Sequence, residues 1–193
     1  LPSVDITNAI SLEYALPIGA EDADKFDGDL TLDIMHGNEH FLPIGSETEE
    51  PPLKDEIAYK DNYGVVCRCL NWRDGQRTQI SDDTTREFIA MECVEPQRLD
   101  ELKEAIDKLA SLMTKYLDAE VVSKDILTIE NNEINVELFY STKPIVDLYF
   151  RQQTYCLNML SSREKITSDY LFNGITAVGK LFKISSESVG RAG

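Results

Sequence analysis

A chain of 193 residues, 42% of them hydrophobic, carries enough apolar side chains for one medium domain, or a domain with a small appendage. No apolar run reaches the ~18 residues of a membrane span and no signal-peptide pattern opens the chain, so the expected compartment is the cytoplasm. The formal charge of −16 excludes a broad nucleic-acid-binding surface, because affinity for a polyanion rests on Lys and Arg neutralising phosphates.

Residues 1 to 16 read as a short amphipathic helix, with Val4, Ile6, Ala9, Ile10 and Leu12 recurring near helical spacing. Asp22-Ala23-Asp24-Lys25 reads as a helix start within the acidic stretch Glu21 to Asp33. Leu30 to Met35 alternates like a strand and ends at His36-Gly37-Asn38. His36 and His40 stand four apart across that turn, where two solvated histidines are expected rather than a metal pair. Ile44 to Pro52 is a polar, proline-closed loop; Ile57 to Tyr59 and Val65 to Leu70 read as a hairpin. Ser81, with Asp82 and Asp83 behind it, reads as the N-cap of a short helix, and Phe88 to Val94 as a buried strand. Pro96 opens the clearest helix, running to about Leu117, with Leu99, Leu102, Ile106, Leu109, Leu112 or Met113, and Tyr116 in one core-facing stripe. Leu127 to Leu138 is expected to be a hairpin turned at Asn131-Asn132, and Pro144 to start a helix carrying Val146, Tyr149, Phe150, Leu157 and Leu160. Val178 to Val189 has the spacing of a helix-turn-helix with Ser185 as cap; two ordinary packed helices fit the same pattern. The sum is an α+β fold: a layered sheet, sandwich-like in part, with packed helices.

The chemistry concentrates in Cys67 to Thr78, which places three arginines, an asparagine, an aspartate and the single tryptophan in twelve positions. Alternation puts Arg68 on the same face as Val66 and Leu70, so it either snorkels outward or meets a partner in a mostly buried setting. Asp74-Gly75 reads as a tight turn that folds Arg73 and Arg77 back towards the strand. Trp72 either fills the core or stacks on a base. Arg68 and Arg73 either grip a phosphate or pair with Asp74, Glu21 or Asp24. Of the four cysteines, Cys67 and Cys69 lie on one strand face and none shows paired metal spacing, so reduced, buried thiols are expected. There is no Gly-rich phosphate loop and no nucleophile elbow; neither a cofactor nor a metal is expected.

The run Arg68-Cys69-Leu70-Asn71-Trp72-Arg73, then Arg77-Thr78 and Ser81-Asp82-Asp83-Thr84, resembles the signature of stand-alone relatives of the editing domain in the bacterial phenylalanyl-tRNA synthetase beta subunit. Those relatives typically carry Arg-Arg-Trp-Asn-Trp-Arg; here Cys69 and Leu70 replace the second arginine and first tryptophan. Upstream, Leu12 to Ala20, Asp22 to Leu30, Ile44-Gly45, Glu49 to Pro52 and Tyr59-Lys60-Asp61 follow in the family's order. The resemblance implies an editing-domain-like core over residues 1–120, with 121–193 as an appendage or a permuted part of the same domain. Ser185-Ser186-Glu187 to Arg191 matches a family helix that precedes the segment resembling Leu1 to Asp5, which would place Gly193 beside Leu1 in a permuted chain. By the same resemblance Arg68, Asn71, Trp72, Arg73, Arg77 and Thr78 are candidate substrate-binding residues for the 3′ end of a tRNA or an amino acid. Two function classes follow: a trans-acting hydrolase of mischarged aminoacyl-tRNA, or a non-catalytic binding or protein-interaction module on the same scaffold.

Overall fold

The computed structural model describes residues 1–69, 71–137, 145–152 and 182–187. Helix α1 (Pro2–Tyr14) leads into β1 (Ile18–Asp22), and Asp22 then caps a short 3-10 turn (Ala23–Lys25) by accepting from the Asp24 N–H. Strands β2 (Leu30–Ile34), β3 (Ile57–Lys60), β4 (Val65–Arg68) and β5 (Arg73–Asp74) follow, then a 3-10 turn (Gln76–Thr78) and β6 (Arg86–Cys93). Helix α2 (Leu99–Leu117), introduced by a 3-10 turn at Pro96–Arg98, precedes β7 (Glu120–Leu127), β8 (Glu133–Glu137), β9 (Ile145–Gln152) and β10 (Phe182–Glu187).

The strands form a four-stranded sheet in the order β1-β6-β9-β7 and a six-stranded sheet in the order β5-β4-β3-β2-β10-β8. Alternation along β6 divides the interior. Ile89, Met91 and Cys93 face a core closed by Ile10, Leu102, Ala105, Ile106, Leu109 and Met113 of the two helices. Phe88 and Ala90 face a second core with Leu30, Leu32, Tyr59, Val66 and Cys67 of the other sheet. The result is the expected α+β layering, with helices on one side of a sheet and a second sheet on the other.

Leu102, Ala105, Ile106, Leu109 and Met113 recur at helical spacing and are buried, which is why this helix was legible in the sequence. Asp100 and Glu101 in its first turn and a left-handed Asp118 after its last are favourable at their respective ends. Tyr116, assigned to the stripe, is exposed, as is Leu12 on α1. Of the expected α1 stripe, Ile10 is buried in the core and Ile6 packs against it, while Ser3 and Thr7 complete the buried face.

Five other expectations are corrected. Ser81 does not cap a helix: Thr84 Oγ1 accepts from the Ser81 N–H and donates to Asp22, closing a turn before β6. Leu127 to Leu138 is not a hairpin, because β7 and β8 belong to different sheets, with β8 paired to β10 and β7 to β9. Residues 145–152 form a strand, not a helix, since a run rich in β-branched and aromatic residues suits a central parallel strand, here between β6 and β7. Phe182–Glu187 is a strand between β2 and β8, which removes both the helix-turn-helix and the helical match at Ser185 to Glu187. The tight turn expected at Asp74-Gly75 lies earlier: β4 and β5 reverse through Cys69 to Trp72, and Gly75 has an ordinary extended φ of −82°. The expected positions of Leu157, Leu160 and Gly193 lie outside the described residues.

Leu109 has no exposed surface in the helix-facing core. Leu109→Ala is expected to cost about 2–5 kcal/mol, read as a lower urea midpoint at unchanged slope.

Candidate functional site

The β4–β5 reversal is built on positive backbone angles at Cys69 (φ 51°) and Asn71 (φ 66°), an unusual pair outside glycine. The Trp72 N–H closes the turn on the Arg68 carbonyl at 3.2 Å. The left-handed Cys69 leaves the strand face expected for it and is exposed, while Cys67 and Cys93 are buried free thiols. Asn71 lies directly over Gly19 of β1. A Cβ on Gly19 would come within 2.6 Å of Asn71 Oδ1, so only glycine admits this cover. The Asn71 amide donates to the Ala90 carbonyl at 3.4 Å.

Trp72, the residue for which a core position and a stacking role were both open, is 72% exposed at the tip of this reversal. The turn turns it outward because the left-handed Asn71 aims its own side chain inward instead.

All three arginines are committed to carboxylates, and for Arg68 and Arg73 these are not the ones expected. Arg68 is buried and binds Glu56 through two nitrogens, Nε to Oε1 at 2.8 Å and Nη2 to Oε2 at 2.7 Å. It also donates to the Glu50 carbonyl at 3.1 Å and lies over the Phe41 ring. Arg73 pairs with Glu50 at 2.8 Å, with both side chains more than a third exposed. Arg77 pairs with buried Asp61 at 2.7 Å and stacks on Tyr63. The acidic loop before β3, rather than Asp74, Glu21 or Asp24, therefore neutralises Arg68 and Arg73. It reaches them because β3 and β4 are antiparallel neighbours, which brings Glu56 beside Arg68. His36 and His40 are both exposed, as expected, with His40 facing Glu49 at 3.6 Å.

Beneath the reversal is an acidic cluster that the sequence reading did not single out. Glu21 from β1, Cys67 from β4 and Asp74 from β5 bring their donor atoms within 4.8 Å of one another. The Cys67 thiol donates to Asp74 Oδ1 at 3.1 Å. Thr78, one of the predicted site residues, is fully buried and its hydroxyl faces Glu21, yet neither it nor either Glu21 oxygen meets a partner in hydrogen-bond geometry among the described residues. Burial pushes the Glu21 carboxyl well above the carboxylate range; the neighbouring Asp74 charge adds to this, while Thr78 and Arg77 oppose it. Burial, then the Asp74 and Glu21 charges, also push the Cys67 thiol well up. The one available signal was alternation along β1: Ile18 and Ala20 pack toward the helices, which turns Gly19 and Glu21 to the other face.

Glu56 and Glu21 have opposite linkage. Arg68 holds the Glu56 carboxyl below its usual range, so its stabilisation is present above the unfolded pKa and is lost as pH falls through the lowered folded value. Glu56→Gln, which leaves Arg68 without its partner charge, is expected to cost about 3 kcal/mol at neutral pH and progressively less on acidification. Glu21 keeps its proton in the fold at pH values where the unfolded chain has lost it, so it destabilises the fold increasingly as pH rises above about 4.3. Glu21→Gln is expected to gain stability over wild type as pH rises from 4 to 8, measured by urea unfolding in chelating buffer.

The model of the B3/4 domain family matches residues 2–121 of the chain. The phenylalanine–tRNA ligase beta subunit of Cutibacterium acnes is 29% identical over 82 residues, which are 42% of this chain and 10% of that protein. The corresponding subunit of Fusobacterium nucleatum is 29% identical over 97 residues, 50% of this chain and 12% of its own length. The chain thus spans about a tenth of the length of these relatives. No helix among the described residues is long and apolar enough to cross a membrane. The matched region contains β1, the β4–β5 reversal and the acidic cluster beneath it, and the agreement extends to the resemblance read from the Arg68 to Thr84 motifs: the chain belongs to the B3/4 domain family.

Proposed function

We propose that this chain binds the aminoacylated 3′ end of a tRNA in the cytoplasm and hydrolyses a wrongly attached aminoacyl ester in trans. The observation that carries the reading is Trp72, a large aromatic held 72% exposed by a left-handed reversal rather than packed into either core. An exposed indole offers a stacking platform to an unpaired terminal base, a contact worth about 1–3 kcal/mol. Arg73 beside it is the one arginine of the motif able to change partners cheaply. Its pair with Glu50 is more than a third exposed on both sides, and such pairs contribute at most about 1 kcal/mol. A single phosphate at the acceptor end can replace Glu50 there, whereas Arg68 and Arg77 stay with Glu56 and Asp61 as parts of the fold. This is a one-phosphate, one-base footprint, consistent with a chain whose net charge of −16 repels the body of a tRNA. Ester hydrolysis needs no covalent nucleophile, since a water aligned by backbone N–H groups and the terminal ribose hydroxyl suffices.

The commitment of Arg68, Arg73 and Arg77 to internal carboxylates favours a second reading, a binding or protein-interaction module that keeps the scaffold without the chemistry. Deacylation of tyrosyl-tRNA(Phe) and of a panel of other mischarged tRNAs separates the two. Hydrolysis by wild type, reduced about tenfold in a folded Trp72→Ala variant, supports trans editing. Absence of both hydrolysis and tRNA-end binding leaves the non-catalytic module.

A further inference from the structure

We propose that Glu21, Cys67 and Asp74, with the Thr78 hydroxyl as a fourth oxygen, form a binding site for one thiophilic divalent cation of the Zn²⁺ type. The donors come from three strands and the 3-10 turn at Gln76–Thr78, and all but Asp74 are buried. The three acidic donor atoms lie within 4.8 Å of one another, and Cys67 Sγ stands 3.1 Å from Asp74 Oδ1. For Zn–S of ~2.3 Å and Zn–O of ~2.0 Å, the edge of a tetrahedron between thiolate and carboxylate oxygen is about 3.5 Å. That edge is therefore almost in place, and Glu21 has only a short distance to draw in.

A second observation is that Glu21 lies within this cluster without a hydrogen bond of proper geometry, with the Thr78 hydroxyl facing it. Both Glu21 oxygens and Thr78 Oγ1 are buried without a hydrogen bond among the described residues, although Glu21 is 4% exposed and Thr78 0%. Buried oxygens without donors are costly, and a cation satisfies all of them at once. The nearby Arg77 does not do so, since its guanidinium is bonded to Asp61 and the Lys25 carbonyl. One thiolate with carboxylate and hydroxyl oxygens selects Zn²⁺, Co²⁺ or Cd²⁺ over Mg²⁺ and Ca²⁺. Binding replaces the Cys67 S–H bond by an S–metal bond and the Glu21 O–H bond by an O–metal bond, and both protons are released to solvent. The closed setting makes the ion structural: it ties β1 to the β4–β5 reversal and so stiffens the turn that presents Trp72. The inference stands whether or not the chain acts on aminoacyl esters.

The test is Co²⁺ titration of the chelator-treated chain, using a variant in which Cys67 is the sole thiol (Cys69→Ser, Cys93→Ser, Cys156→Ser). One equivalent is expected to produce a thiolate-to-cobalt charge-transfer band in the near ultraviolet with intense tetrahedral d–d bands, both erased by Zn²⁺. Cys67→Ser is expected to lose the charge-transfer band, and Glu21→Gln to weaken Co²⁺ binding at least tenfold. Zn²⁺ is also expected to raise the thermal midpoint of wild type but not of Asp74→Asn, whose partly exposed position spares the fold; this second readout holds even if a cysteine variant fails to fold. Absence of the band in wild type, its persistence in Cys67→Ser, or an equal Zn²⁺ shift in Asp74→Asn overturns the assignment.

Discussion

Strand β6 is the constraint on which the rest of the structure depends. Both of its faces are buried, one against the helices through Ile89, Met91 and Cys93, the other against the second sheet through Phe88 and Ala90. A shift of register by one residue would exchange the two cores, so pairing with its neighbours is tightly specified. Because Gly19 is held opposite Ala90 and Glu21 opposite Phe88, the register of β1 places Gly19 under Asn71 and turns Glu21 toward Cys67 and Asp74. The candidate site is thus a consequence of core packing on the neighbouring strand.

Electrostatics then separates the charges of the motif into two kinds. Arg68 and Glu56 form a buried bidentate pair that joins the acidic loop to the sheet, a geometry in which guanidinium and carboxylate satisfy one another's hydrogen bonds. Such a pair adds little net stability compared with apolar packing, but losing one partner is expensive, so it holds the loop in one place. Glu21 is the reverse case, a buried carboxyl whose hold on its proton is strengthened, chiefly by burial and then by the Asp74 charge. An acidic protein that spends its arginines internally has little positive charge left for a polyanion.

Trp72 and the acidic cluster are two sides of one structural element. The left-handed Asn71 sends its carboxamide inward over Gly19, and the next residue, Trp72, outward into solvent.

The sequence by itself determined the helix from Leu99 to Leu117, the β3–β4 pair, the strand at β6 and the family, because these rest on local periodicity and on motifs in a fixed order. For the arginines it left two roles open, a phosphate grip or an internal carboxylate pair, since a buried guanidinium needs an anion of either kind. Which carboxylates they meet was decided by strand pairing across long loops, which no local spacing records. The same holds for residues 145–152 and 182–187, read as helices because apolar residues at mixed spacing satisfy either period. They are strands because each pairs on both sides, β9 between β6 and β7 and β10 between β2 and β8. Glu21, Cys67 and Asp74 lie more than forty residues apart at the extremes and share no motif; only the register of β1, β4 and β5 brings them together. Side-chain chemistry along the chain set what each residue can do, and long-range pairing decided which residues do it jointly.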